Sequence, residues 1–374
     1  MDFTRVLGTP PMRSLDFNWN AIEPAVEALE DLGLPFSEVE IKAAFEDMPA
    51  DKAPGPDGFT VNFLRACWII IKDDLMKVID AFSELTINNF HVINSACIAL
   101  LPKKEGADSI SDFRPISLIH IVPKILAKAM ALRLRTKMND IVSNSQSAFI
   151  KSRSIHDNFM YVRNVARQLH RNHTPALLIK LDIAKAFDSV RWDYILDLMQ
   201  RRGFPPRWRA WASLIFSTST SRVLLNGTPG KEIMHGRGLR QGDPLSPLLF
   251  DLAIDPLPRL IELAVNSGLL QLLPGNFIKS RVSLYADDAA IFITPNAQDI
   301  TSLATLLHDF GEVTGLVTNV DKSSVTPIRC ADIDLGSILE NFPAAQAQFP
   351  LKFSGGSGSA PSGKAASGRS ATLH

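Results

Sequence analysis

Tyr285-Ala286-Asp287-Asp288 lies inside an apolar run, with Val282-Ser283-Leu284 before it and Ala289-Ala290-Ile291-Phe292-Ile293 after it. Two adjacent carboxylates are costly to place among buried strands unless a cation compensates them. Two strands joined at a tight Ala-Asp-Asp turn would lift both carboxylates to the rim of a sheet, where a divalent cation could sit. Acid at the tip of a buried hairpin suits metal-dependent nucleotidyl transfer. Taken alone, the tetrapeptide is equally well a solvated hairpin turn. Side chains alternate along a strand, so Asp287 and Asp288 cannot both face one way by simple pleating. Asp287 is therefore the first ligand expected, and Asp288 the second.

A further acid stands in a similar place. Leu177-Leu178-Ile179-Lys180-Leu181-Asp182 reads as a buried strand with Asp182 at its end, and Ile183 to Asp188 then turn into a helix. If this strand neighbours the hairpin, Asp182 and Asp287 can share two Mg²⁺ ions about 4 Å apart. A strand-end turn or helix cap would also explain Asp182. The third element is Gly238-Leu239-Arg240-Gln241-Gly242-Asp243-Pro244-Leu245-Ser246-Pro247. Its glycines allow close backbone approach to a substrate, and Ser246-Pro247 launches a helix. A nucleotide or template strand suits such an entry; so does an ordinary turn and cap.

These residues need a scaffold, and the hydrophobic pattern supplies one. Phe36-Ser37 followed by Glu40 predicts a capped helix to about Asp47. Pro54-Gly55-Pro56-Asp57-Gly58 predicts a rigid turn. Helices are expected over 61–85, 121–138, 192–200, 206–216, 247–263 and 298–313, with Ser246 capping the fifth. Strands are expected over 96–101, 176–183 and 323–328. Asn226-Gly227 predicts a hairpin after Arg222–Leu225.

The bulk composition is that of a globular protein: 374 residues, 46% hydrophobic and 21% charged. No apolar run reaches membrane-span length, and no signal peptide begins the chain. Cys67, Cys97 and Cys330 lie far apart and form neither a disulfide framework nor a zinc spacing, so an intracellular setting is expected. Lys+Arg and Asp+Glu are both 39, yet the charges cluster. Glu23, Glu27, Glu30, Asp31, Glu38, Glu40, Glu46 and Asp47 make an acidic stretch. Lys103, Lys104, Arg114, Lys124, Lys128, Arg133, Arg135 and Lys137 make a basic one, and Arg201, Arg202, Arg207 and Arg209 a second. Two basic clusters flanking an acidic centre suggest a polyanion channel. From Ser354 the chain is Gly- and Ser-rich, and it is expected to be disordered.

In this order the elements resemble the reverse transcriptase domain of non-LTR (LINE-type) retrotransposons, with wording like that of plant elements. The resemblance rests on Lys52-Ala53-Pro54-Gly55-Pro56-Asp57-Gly58-Phe59, Leu101-Pro102-Lys103-Lys104, Asp112-Phe113-Arg114-Pro115-Ile116-Ser117-Leu118 and Gln146-Ser147-Ala148-Phe149. It continues through Asp182–Asp188, Gly238–Pro247, Tyr285–Asp288 and Gly315–Ser323, and covers about residues 35–353. It implies an α+β right-hand polymerase: fingers over 36–175 and a palm over 176–353, with an antiparallel sheet and packing helices.

It also implies roles. Asp182 and Asp287 would hold two Mg²⁺ ions, or Mn²⁺ in their place, with Asp288 beside them and the Ile183 carbonyl as a further ligand. Lys103 and Arg114 would clamp dNTP phosphates. Phe187 would stack under the sugar and exclude a 2′-hydroxyl; a core aromatic is the other reading. Gln241 and Gly242 would line the nucleotide pocket. Tyr285 and Arg240 would meet primer or template, and Lys322 the pyrophosphate side. The implied partners are an RNA template, a DNA primer or target and dNTPs, within a nuclear or cytoplasmic ribonucleoprotein.

The chain departs from the pattern in two places. Ser354-Gly355-Gly356 replaces the expected Leu-Gly, so the thumb is expected to be absent or truncated. Residues 1–35 read as the remnant of a linker after a lost endonuclease. The alternative is an inactive remnant that at most binds nucleic acid. A maturase- or telomerase-like polymerase is a third reading. No sequence feature specifies an oligomeric state.

Overall fold

The computed structural model describes residues 3–22, 28–275, 277–349, 351–353 and 371–373. Glu23 and Glu27 of the acidic stretch lie outside the described residues, as do 354–370 and 374 of the tail expected to be disordered. The fold is mixed α+β. It gathers into two compact units, each assembled from separate stretches. The first takes Met1–Met12, Ala25–Met138 and Phe187–Phe250; the second takes Arg13–Pro24, Asn139–Ala186 and Asp251–His374. The sequence reading, by contrast, divides the chain into contiguous blocks.

The strands in chain order are β1 (Ser95–Pro102), β2 (Phe113–Ile119), β3 (Ala176–Leu181), β4 (Thr220–Leu225), β5 (Thr228–Met234), β6 (Val282–Tyr285), β7 (Asp288–Ile293), β8 (Ser324–Ile328), β9 (Ala345–Gln346), β10 (Leu351–Phe353) and β11 (Ala371–Leu373). β10 and β11 pair antiparallel.

The first unit carries the sheet β2-β1-β4-β5. β1 runs antiparallel to β2 and parallel to β4, and the Asn226-Gly227 turn joins β4 to β5. Both turn residues have positive φ, 50° and 79°, as a tight hairpin requires. Leu7, Ile98 and Ile233 form a small core on this sheet, with Phe3, Val6, Leu100 and Val223 packed against it. The helix Val61–Ser83 is capped by the Thr60 hydroxyl, which accepts from the Phe63 amide. Val61, Leu64, Trp68, Leu75, Ile79 and Phe82 are its buried apolar side chains. That is the three-and-four spacing of one helix face.

The Pro54–Gly58 turn has a clear structural task in this unit. The Asp57 carboxylate accepts the Ile121 amide at 2.6 Å and caps the helix Ile121–Ile141 from a distance. It also meets His120 Nδ1 at 3.4 Å. A Cβ on Gly55 would lie 2.2 Å from the Ile119 carbonyl oxygen, so only glycine lets the turn come this close.

The second unit carries the sheet β6-β7-β3-β8-β9. β3 lies between two antiparallel neighbours, β7 and β8. It is buried at five of its six positions, which explains why it reads as a continuous apolar run rather than an alternating one. Leu178, Phe292 and Ile328 face Val162, Val165 and Leu169 from the helix Ile155–Arg171. Burying each such side chain contributes roughly 1.5–3 kcal/mol.

Three local differences from the sequence reading have physical causes. The helix Ile155–Arg171 and strand β2 go unrecognised there. The helix alternates an apolar stripe with many polar residues, and its start is marked only by Ser154, whose hydroxyl accepts the Asp157 amide. The single helix expected over 247–263 is two, Ser246–Ile254 and Pro256–Asn266. Pro256 has no amide hydrogen to continue the first, and Ser246 begins that helix as a helical residue. Among the described residues, no helix is long and apolar enough to cross a membrane.

The charge clusters are a larger correction. The C-terminal part of the basic stretch, from Lys128 to Lys137, does not stand free for a polyanion. Arg133 donates to both oxygens of Glu40 and to the carbonyls of Leu32, Leu34 and Pro35. Lys128 meets Asp47 at 2.6 Å, and Lys137 meets Asp31 at 3.0 Å. Asp31, Glu40 and Asp47 of the acidic stretch are thus matched by Lys128, Arg133, Arg135 and Lys137 inside one unit. Arg202 of the other cluster is fully buried, and Arg209 donates to Gln200 and to the Phe204 carbonyl.

Candidate active site

Strand register assembles the acidic residues of the second unit. Leu181 pairs with Ala289, and Tyr285 pairs with Asp288 across the hairpin. Asp182, one step past Leu181, therefore reaches the same edge of the sheet as Asp287 and Asp288. The backbone of Asp182 is fixed from the other side. Its amide donates to Ser323 Oγ at 3.2 Å, and its carbonyl accepts the Asn319 amide at 2.7 Å. Ile183 bridges to Thr318 and is buried. Lys322 is exposed in the same clip, one residue from Ser323.

The electrostatics follow from burial. Burial raises the Asp287 carboxyl above its ordinary value, and the Asp182 charge adds to the rise. Burial also pushes Asp288 up, to about 6, with Asp287 repelling it and Lys180 opposing the shift. Lys180 Nζ lies 3.5 Å from Asp288 Oδ1. Lys180 lies in β3, two residues before Asp182. The lone cation in an apolar strand was the sequence signal for it, and sequence reasoning gave it no role. Tyr285 ends β6 and, with Asn158, Phe159, Val162 and Asp288, lines a cleft.

Among the described residues, no three His, Cys, Asp or Glu side chains converge as a ready-made metal cage. The donor chemistry nevertheless fits a hard divalent cation. The acids offer oxygen donors only, and at Asp287 and Asp288 burial and repulsion from neighbouring acids disfavour the charged form until a cation arrives.

The other expected residues belong to the first unit. Gly238 has φ 88°, and a Cβ there would lie 2.7 Å from the Asp188 carbonyl oxygen. The Leu239 amide donates to the Phe187 carbonyl at 2.7 Å, and the Ser117 amide to the Gln241 carbonyl at 2.8 Å. Gly242 has φ 106°, and a Cβ there would stand 2.9 Å from the Ser117 oxygen. The loop is thus docked on β2 and on the turn after Phe187. The Phe187 ring stacks on Phe250, centroids 4.7 Å apart and planes 18° from parallel.

Arg240 is turned inward. Its guanidinium donates to the Asn94 carbonyl and Oδ1 and meets Asp243 at 3.5 Å. This engagement orders the loop interior rather than presenting the charge to a strand. Lys103 donates its amide to the Asp112 carbonyl, and Arg114 pairs with Leu101 across β1 and β2. Both therefore sit on one strand pair, at the end of β1 and the start of β2.

Residues 101–348 match the family described as reverse transcriptase (RNA-dependent DNA polymerase), and the chain belongs to that family. The relatives narrow the kind. The chain is 32% identical over 277 residues to a Transposon TX1 uncharacterized 149 kDa protein of Xenopus laevis, covering 73% of this chain and 20% of that one. It is 28% identical over 330 residues to the Pol polyprotein of retrotransposable element R2DM of Drosophila melanogaster, covering 86% and 29%. It is 29% identical over 244 residues to the Pol polyprotein of element R2 of Nasonia vitripennis, covering 65% and 22%. By family it is an RNA-directed DNA polymerase domain of the non-LTR retrotransposon kind. The chain spans under a third of the length of each of these relatives.

Proposed function

We propose that this chain catalyses RNA-templated addition of dNTPs to a primer 3′-hydroxyl, with fingers over 36–175 and a palm over 176–353. The observation that carries this reading is the register that brings Asp182, Asp287 and Asp288 to one sheet edge. Asp182 and Asp287 would hold two Mg²⁺ ions, with Asp288 and the Ile183 carbonyl beside them. Bound there, the metal would lower the pKa of the primer hydroxyl and neutralise the triphosphate and leaving pyrophosphate.

The chain's own residues do the rest. Lys180 offsets the charge of Asp288 and keeps the acidic edge from excess repulsion. Lys103 and Arg114 receive the triphosphate. Phe187 braces the sugar and reads its 2′ position, and its stack on Phe250 supports a fixed ring. Gln241 and Gly242 line the nucleotide pocket on a loop ordered by Arg240, and Tyr285 lies beside the primer end. Lys322 would serve the pyrophosphate side. The partners are an RNA template, a DNA primer or target and dNTPs, in a nuclear or cytoplasmic ribonucleoprotein.

Primer extension on poly(rA)/oligo(dT) with Mg²⁺ tests this. Incorporation above that of an Asp287→Ala control is expected. Incorporation no higher than that control would leave the inactive-remnant reading in its place.

A further inference from the structure

Ala286 joins β6 to β7 with φ 53°, a left-handed conformation that costs an L-residue roughly 1–2 kcal/mol. Something must hold it. Gln146 lies against it with no exposed surface. Its Oε1 accepts from three backbone amides: Ser147 at 2.9 Å, Ala148 at 3.0 Å and Ala286 at 3.1 Å. Its Nε2 donates to the Ala286 carbonyl at 3.4 Å. Three donors converging on one atom require that atom to be the oxygen, which fixes the orientation of the carboxamide.

The Gln146 backbone is anchored independently. The Leu284 amide donates to the Ser145 carbonyl at 2.7 Å, and the Ser147 amide to the Leu284 carbonyl at 3.2 Å, so 145–147 run beside β6 as a short parallel bridge. Arg153 donates to the Gln146 carbonyl at 2.8 Å. Asn158 donates to the Leu284 carbonyl and accepts from Ser283 Oγ. The carboxamide is thus a fixed jig, and both polar groups of the Ala286 backbone are pinned to it.

We infer that Gln146 is a positioning residue, whose carboxamide holds Ala286 left-handed and thereby sets the direction in which Asp287 leaves the sheet. The inference rests on the proposed metal role of Asp287. Gln146 touches no reacting atom; it acts through the turn.

The test uses Mn²⁺ binding to the full chain, followed by the electron paramagnetic resonance of the free ion, alongside primer extension. Gln146→Met keeps the side-chain length and takes the carboxamide acceptor from the Ala148 and Ala286 amides, while Ser147 keeps its bond to the Leu284 carbonyl. We expect it to weaken Mn²⁺ binding about tenfold and to lower kcat with little change in KM for dNTP. Adding Ala286→Gly, which adopts positive φ without cost, should recover at least half of that loss on a logarithmic scale. Gln146→Glu keeps the accepting oxygen and serves if the Met variant does not fold; it should bind Mn²⁺ at least as tightly as the wild type.

Wild-type Mn²⁺ affinity in Gln146→Met would overturn the inference. A deficit that Ala286→Gly leaves untouched would overturn it too, as would tenfold weaker binding in Gln146→Glu. Failure of the polymerase reading looks different: the wild type would bind Mn²⁺ at Asp287 and respond to these substitutions, yet incorporate no nucleotide.

Discussion

In the first unit, Glu40 takes the Arg133 guanidinium, Asp47 takes Lys128, and Asp57 takes two backbone amides and His120. In the second, Asp287 and Asp288 sit half-buried side by side with Lys180 as the cation at hand, and Asp251 is fully buried with neither oxygen hydrogen-bonded. The difference teaches where to look for chemistry. Burial raises Asp57 as well, but hydrogen bonds from His120 and from the Ile121 and Phe59 amides outweigh it, and its carboxyl ends below the ordinary value. At Asp287, Asp288 and Asp251 burial outweighs what opposes it, and each carboxyl ends above the ordinary value. Carboxylates that build the fold are matched; those that could act are left seeking a charge.

The largest effect expected is on turnover. Asp287→Ala or Asp182→Ala should lower incorporation by about 10³-fold, the scale of several kcal/mol of lost charge stabilisation. For Asp287→Ala the melting temperature should not fall, because a carboxylate whose charge burial disfavours is removed. Wild-type rates in either variant would break the contrast between acting and building acids.

Asp57→Ala comes next and should act on stability alone. The lost cap and hydrogen bonds are worth about 2 kcal/mol in urea melts at pH 7. The folded pKa of Asp57 lies below its unfolded 3.8. Its contribution is therefore fully present above about pH 4 and fades as the pH falls through the folded value. A gap between wild type and variant that stays constant down to pH 2.5 would remove Asp57 from the matched class.

Asp251→Asn sharpens the comparison from the other side and should stabilise by about 1 kcal/mol at pH 7. Burial comes first in raising the Asp251 carboxyl, and Asp255 adds to it against Arg153. A raised folded pKa gives stability below the unfolded value, lost as pH rises through the folded one. The gain from Asn should therefore be largest near neutrality and vanish near pH 4. Parallel stability curves from pH 4 to 8 would show that Asp251 carries no such penalty.

Much of this was legible in the chain. The acidic hairpin, the Asp182 strand and the glycine loop are local patterns, and strand pairing needed only their apolar runs. What escaped depends on residues far apart in sequence. Nothing near Arg133 announces Glu40, 93 positions away, so the part of the basic stretch from Lys128 to Lys137 proved to be an ion-pair seam with the acidic stretch. Gln146 stood in plain view within Gln146-Ser147-Ala148-Phe149, but its partner is Ala286, 140 positions on. Pro256 could have been read as a helix break, since its missing amide is a local fact; the long apolar run around it masked the signal.

The interleaving of the two units has a consequence for how the molecule is made. The chain passes from one unit to the other after residues 12, 24, 138, 186 and 250. A ribosome delivers it in that order, so the first unit stays incomplete until residue 250 has emerged. By then β3 is still waiting for two partners, β7 and β8, which emerge after residue 287. A nascent chain stalled before residue 324 would expose an apolar strand edge with no covering neighbour, a template for aggregation. Neither unit can be lifted out by one pair of cuts, so shuffling or nicking that many two-domain proteins survive would here disable both halves together.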